Sequence, residues 1–157
     1  VRTHMGAIAD RIAELGLELP PVAAPAGAYV PGLVTGSLVY TSGQLPVVDG
    51  ALLATGKVGA EVAPEDAAGC ARTAVLNALA AAGAAIGSLD RVTRVVKVVV
   101  FIASAPDFTA QATVANGASG VLLEVFGEAG RHARSSVGVA VLPLDAPVEV
   151  ELVLEFA

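Results

Sequence analysis

The chain has 157 residues, 55% of them hydrophobic, and a formal charge of −6 from 15 acidic against 9 basic side chains. That length fits one domain with a sizeable core, and no stretch approaches the roughly eighteen uninterrupted apolar residues of a membrane span. The acidic balance, with basic residues grouped only as Arg91/Arg94 and Arg131/Arg134, disfavours a nucleic-acid partner, whose phosphates call for a basic patch.

A lone cysteine, Cys70, excludes an intramolecular disulfide and a Cys-rich zinc site. The excess of apolar residues predicts a surface covered by self-association. No secretory leader pattern opens the chain, so a cytoplasmic location is expected. Residues 1–5, Val-Arg-Thr-His-Met, read as partly vector-derived, with Met5 as the natural start.

Along the chain, Ile8, Ile12 and Leu15 fall at helical spacing within residues 5–16, closed by Gly16. A Pro/Ala/Gly loop follows from Pro20 to Gly32 and holds Tyr29; Pro20-Pro21 bars continuation of the helix. Residues 1–24 are thus expected as a helix-and-linker extension, and 25–157 as a single domain. Leu33 to Thr41 reads as one strand, and residues 47–52 as a hairpin turning on Asp49-Gly50. Pro64-Glu65-Asp66 opens a helix. Its face of Ala67, Cys70, Ala74, Ala78 and Ala82 is small enough for close packing, and Gly83 and Gly87 end it. Val92 to Ile102 is apolar on both faces, the mark of a central strand covered on both sides. A second helix spans about Phe108 to Phe126, weakened by Gly117 and Gly120.

Two strands close the chain, each alternating with a period of two. Val137, Val139 and Val141 oppose Arg134, Ser136 and Gly138; Val148, Val150, Leu152 and Leu154 oppose Glu149, Glu151 and Glu155. If both apolar rows cover one core, Arg134 shares the outer face with three carboxylates. The order of elements predicts an α+β fold, a mixed sheet with both helices on one face. The other apolar face would be covered where three such sheets meet around an axis.

Three motifs carry a resemblance: Gly27-Ala-Tyr29-Val-Pro-Gly32, then Tyr40-Thr-Ser42-Gly43-Gln44-Leu-Pro46, then Ala133-Arg134-Ser135-Ser136-Val137 with Leu142-Pro143 and Val148-Glu149-Val150-Glu151. In this order and spacing the chain resembles the Rid family of reactive-intermediate deaminases, also called YjgF or L-PSP. The resemblance implies a homotrimer of chorismate-mutase-like subunits, with sheets facing the centre and active sites between neighbours. It implies hydrolysis of 2-imino acids and their enamine tautomers to 2-keto acids and ammonia, without metal or organic cofactor. It makes Arg134 the carboxylate-binding residue, Glu149 the partner of the reacting water, and the Gly43 amide a second carboxylate contact. Ser42 and Tyr29 line the cleft and assist catalysis through hydrogen bonds, and Ser136 joins Arg134 and Gly43 in binding the substrate. Two positions depart from the family's usual Pro-Ala-Arg-Ser-Cys-Val, where His132 replaces the proline and Ser136 the cysteine.

Each residue also has a plainer reading. Arg134 could form a structural ion pair with Glu151 or Glu155, Glu149 could be a solvated strand carboxylate, and Gly43 could simply make a turn. Tyr29 could be an aromatic plug. His132 reads as a loop side chain and Cys70 as packed core. Two rival functions stand beside the deaminase: a non-catalytic carboxylate-binding or chaperone-like trimer, and an endoribonuclease. If the closing strands run antiparallel about Leu144-Asp145, Arg134 and Glu149 lie about 20 Å apart. Both are expected on the face toward the trimer centre, so that neighbouring subunits share the site.

Overall fold

The computed structural model describes residues 6–25 and 27–157, so the reading of residues 1–5 lies outside the described residues. Helix α1 covers Ala7–Glu14, shorter than its periodicity predicts, and Gly16 follows it at a φ of 70°. It has no capping side chain of its own. The Ile8 amide donates instead to Asp90 Oδ1 at 2.8 Å, and a Cβ on Gly6 would collide with that carboxylate. Ile12 is buried in the main core.

The stretch expected as a single strand is a hairpin, β1 (Gly32–Thr35) and β2 (Leu38–Thr41), with Thr35 paired to Leu38. Gly36 takes a φ of 57° at the first central position, where tight two-residue turns favour glycine. The Asp49-Gly50 hairpin forms as predicted between β3 (Val47–Val48) and β4 (Ala51–Leu52).

Helix α2 (Pro64–Ile86) runs through Gly83 and stops at Gly87, whose φ is 93°. It is long and apolar enough to cross a bilayer, but it is largely buried within the fold, with Ala71, Ala74, Val75, Ala78 and Leu79 fully covered. Helix α3 (Gln111–Phe126) persists despite its glycines. Gly117 is there for contact: a Cβ on it would collide with the Ala68 carbonyl of α2, so the two helices pack backbone to backbone.

The remaining strands are β5 (Val92–Ala103), β6 (Ala133–Val139) and β7 (Val148–Phe156). The main sheet has the order β1-β2-β7-β5-β6, with β5 and β6 parallel and the other pairs antiparallel. The architecture is therefore the expected α+β mixed sheet, with three helices. Two further expectations are corrected. The central strand is β7 and not Val92–Ile102, and β5 lies between the two closing strands. On β5 and β7, Val98, Val100, Ile102, Val150, Leu152 and Leu154 are buried beneath the helices, while Val99, Phe101, Glu149 and Glu151 face the open side.

The second correction concerns β6. Its alternation is as read, but the faces are exchanged. Arg134 is in register with Val98 and Ser136 with Val100, so both lie on the helix side; Val137, level with Phe101, is 46% exposed on the open side. At this sheet edge the covering surface is a polar stretch of α3, so the charged row turns inward and the valines outward. Arg134 therefore does not share a face with Glu149, Glu151 and Glu155.

Candidate active site

One group of predicted residues assembles where the chain leaves β2 and runs beside β7. Gln44 and Val150 exchange both backbone hydrogen bonds, at 2.8 and 2.9 Å. This bridge presses Gly43 against Glu149, and a Cβ on residue 43 would collide with the carboxylate. Gly43 is not among the residues with positive φ, so what it provides is space and not backbone freedom. The amides of Ser42 and Gln44 donate to Pro31 and Val150 carbonyls, while the Gly43 amide between them has no partner among the described residues.

Glu149 is partly buried and accepts no hydrogen bond among the described residues. Burial, and after it the neighbouring Glu151 carboxylate, holds its pKa above the usual value of 4.5. Glu155, by contrast, is exposed and accepts from Thr93 Oγ1 at 2.9 Å. The Ser42 hydroxyl donates to the Val30 carbonyl at 2.6 Å and so ties the loop that carries Tyr29 to the end of β2.

Tyr29, Gly43, Gln44 and Leu144 line a cavity of about 200 Å³. The buried Asn77 of α2 also borders it, donating to the Leu45 and Val47 carbonyls at 3.0 and 3.1 Å. Asn77 fixes the segment that follows Gly43, and the sequence reading missed it. A polar residue flanked by Leu76, Ala78 and Leu79 was the available signal. Leu144, 75% exposed with a φ of 60°, holds a left-handed conformation that is rare for leucine.

The second group lies elsewhere. Arg134 Nη1 donates to Asn116 Oδ1 at 2.8 Å and to Ser119 Oγ at 3.1 Å, both on α3. It forms no ion pair among the described residues, so the structural pairing with Glu151 or Glu155 is absent there. Ser136 is one step further along the same helix-facing row and is partly buried. His132 is more than the loop side chain expected, since its ring bridges Ser119 and the Gly130 carbonyl. Nothing in sequence spacing alone joins residues 119 and 132; the short 3-10 turn Gly127–Gly130 brings them together.

The two groups do not meet in one chain. Arg134 is level with Val98 and Glu149 with Phe101, on opposite sides of β5. Three residues along the sheet at about 3.3 Å and two strand spacings of about 4.8 Å separate their Cα atoms by roughly 14 Å, on opposite faces. The expected 20 Å was too large because the connection after β6 is not a symmetric hairpin.

Cys70 is packed core, 3% exposed, and burial raises its thiol pKa. Among the described residues no three His, Cys, Asp or Glu side chains converge as a metal site.

Residues 9–156 match the family described as "YjgF/chorismate mutase-like, putative endoribonuclease". The chain is 47% identical over 151 residues to Protein TCP17 of Trypanosoma cruzi, covering 96% of this chain and 94% of that one. It is 42% identical to Atu1372 of Agrobacterium tumefaciens, a protein of unknown function whose crystal structure superposes with a TM-score of 0.87, covering 96% of this chain and 92% of that chain. Over 129 residues, 81% of this chain and 85% of the other, it is 36% identical to the Escherichia coli protein named "Putative reactive intermediate deaminase TdcF". The structure of TdcF with bound serine superposes with a TM-score of 0.62, at 32% identity, over 88% of this chain and 93% of that one. With motifs, fold and relatives in agreement, the chain belongs to the YjgF/Rid family.

Proposed function

We propose that the protein hydrolyses reactive 2-imino acids and their enamine tautomers to 2-keto acids and ammonia, at clefts shared between neighbouring copies in a homotrimer. The observation that carries this reading is a carboxylate, Glu149, packed against Gly43, with neither the carboxylate nor the Gly43 amide hydrogen-bonded among the described residues. A base with a raised pKa works closer to neutrality, and an amide with a free N–H can receive an anionic oxygen.

The chemistry needs little more. Arg134 and the Gly43 amide hold the substrate carboxylate, Arg134 through a bidentate fork. Glu149 takes a proton from water as its oxygen bonds to C2, and the C=N pair moves to nitrogen. The proton passes to that nitrogen to give a carbinolamine; Glu149 then carries the new hydroxyl's proton to the same nitrogen, and ammonia leaves as the C–N bond breaks and the keto group forms. Ser42 and Tyr29 shape the cleft, and Ser136 flanks Arg134. The relationship to TdcF, whose structure holds serine, a small molecule with a carboxylate, supports this substrate class.

Geometry supports the shared site. A carboxylate about 14 Å away across the sheet cannot activate water at a carbon held by Arg134, so a second copy must complete each half. The open face offers surface for it, with Leu33, Tyr40 and Val137 at 60%, 43% and 46% exposure beside Val99, Phe101 and Val153.

The test is ammonia release from enzymatically generated 2-iminobutyrate or 2-aminoacrylate, alongside sedimentation. A trimer whose turnover is lost in Arg134→Ala is expected. A stable monomer, or turnover that survives the substitution, would overturn the proposal; carboxylate binding without turnover would point to a non-catalytic binder.

A further inference from the structure

Arg134 is held by more than a single contact. Its Nη1 carries two N–H bonds, and both are spent on α3: one on Asn116 Oδ1, the other on Ser119 Oγ. Ser119 is itself buried, and its Oγ lies 2.9 Å from His132 Nε2. The other ring nitrogen, Nδ1, lies 2.6 Å from the Gly130 carbonyl oxygen.

A carbonyl can only accept, so with a neutral ring the proton sits on Nδ1 and Nε2 is the acceptor. The Ser119 hydroxyl must then donate to Nε2, which leaves its lone pairs to Arg134. The hydrogen bonds run in one direction, from Arg134 to Ser119 to His132 to the Gly130 carbonyl. That end is anchored in turn, because Gly130 packs so closely on the last turns of α3 that a Cβ on it would collide with the Leu122 carbonyl. A proline at position 132 could make neither ring bond.

We infer that His132 and Ser119 are positioning residues for Arg134: their relay immobilises Nη1 and leaves the Nε–Nη2 edge of the guanidinium for a substrate carboxylate. The inference rests on the proposal that Arg134 receives that carboxylate. A guanidinium held in advance does not have to surrender its rotamer freedom on binding. The edge left over carries two parallel N–H bonds, the geometry that matches a carboxylate.

The test uses full-length Ser119→Ala, His132→Phe and His132→Gln, the last keeping an acceptor near the place of Nε2. Order at the Arg134 Nε–H is read by 15N relaxation, and affinities for 2-oxobutyrate and its uncharged amide by calorimetry. Ser119→Ala and His132→Phe should loosen the guanidinium and weaken 2-oxobutyrate by about 2- to 12-fold, the cost of ordering one long side chain. The amide should bind as in wild type, and His132→Gln should recover most of the loss. General damage to the fold would move both ligands together. An Arg134 as ordered in both disruptive variants as in wild type overturns the inference, whatever the affinities. An Arg134→Ala variant that binds 2-oxobutyrate unchanged instead overturns the carboxylate reading of the site, and the relaxation data still decide the relay.

Discussion

The Glu149 carboxylate occupies the space that a side chain on residue 43 would fill. The carboxylate therefore packs against the backbone of residue 43 only because one carbon atom is absent there. Gly43→Ala should push the carboxylate aside with little loss of stability, because the atoms that yield belong to a flexible side chain. A displacement near 1 Å at a reacting group costs about 10²-fold in rate. Turnover of the variant at the wild-type rate, measured as ammonia release, would show that the contact has no catalytic part.

Glu149→Gln should keep the shape and remove the base, lowering turnover by about 10²–10⁴-fold while 2-oxobutyrate binding survives. The same substitution makes a stability prediction with a definite sign. The folded-state pKa is raised above 4.5, so ionisation is harder in the fold than in the unfolded chain. The advantage of the protonated form is present in full below the unfolded value and is lost as pH rises through the folded one. At pH 7 Glu149→Gln should therefore melt higher than wild type, and the two curves should converge at pH values below 4.5. A lower melting temperature at neutral pH would contradict the burial argument.

Arg134→Ala should weaken 2-oxobutyrate binding by about 2–5 kcal/mol, the range for truncating one partner of a buried charged pair. Since Arg134 and Glu149 lie on opposite faces of one sheet, mixing the Arg134→Ala and Glu149→Gln proteins under subunit exchange of the proposed trimer should restore part of the activity. The rescued clefts are those that receive both intact residues. No recovery under demonstrated exchange would place the two roles within a single chain.

Gly117 and Gly120 give a paired test of helix packing. A Cβ on Gly117 meets the Ala68 backbone, whereas one on Gly120 meets nothing within 4 Å. Gly117→Ala should cost about 1–3 kcal/mol by overpacking, a drop of several degrees in Tm at about 2–4 °C per kcal/mol. Gly120→Ala should gain up to about 1 kcal/mol of helix propensity. Equal effects of the two would remove the close-contact explanation of Gly117.

The strands were legible because alternation is a local property, and β6 shows where that legibility ends. Two rows were read correctly, yet the choice of which row faces the helices depends on what packs there. On β6 the answer is Asn116 and Ser119, polar groups on α3 that accept from Arg134. The split at Gly36 was missed for a related reason: Leu33–Thr41 is apolar enough for one strand, and only a left-handed glycine breaks it. The motif residues announced the pairing of Gly43 with the β7 edge no better, since the bridge from Gln44 to Val150 spans more than a hundred positions. His132 and Asn77 are legible only after folding, because their partners are carbonyls and hydroxyls that no sequence pattern marks.

Helix α1 borrows its cap from Asp90, and its Arg11 Nε reaches the Glu124 carbonyl, 113 residues further along. Eight residues are too few to hold a helix in water unaided. The first of the described helices is thus among the last of them that can be completed. At about 5–20 residues per second on the ribosome, roughly 6 to 23 s pass between the making of Arg11 and of its acceptor. Through that interval the α3 surface that receives Arg11 does not exist, and the growing chain holds Ile8 and Ile12 with their cover incomplete.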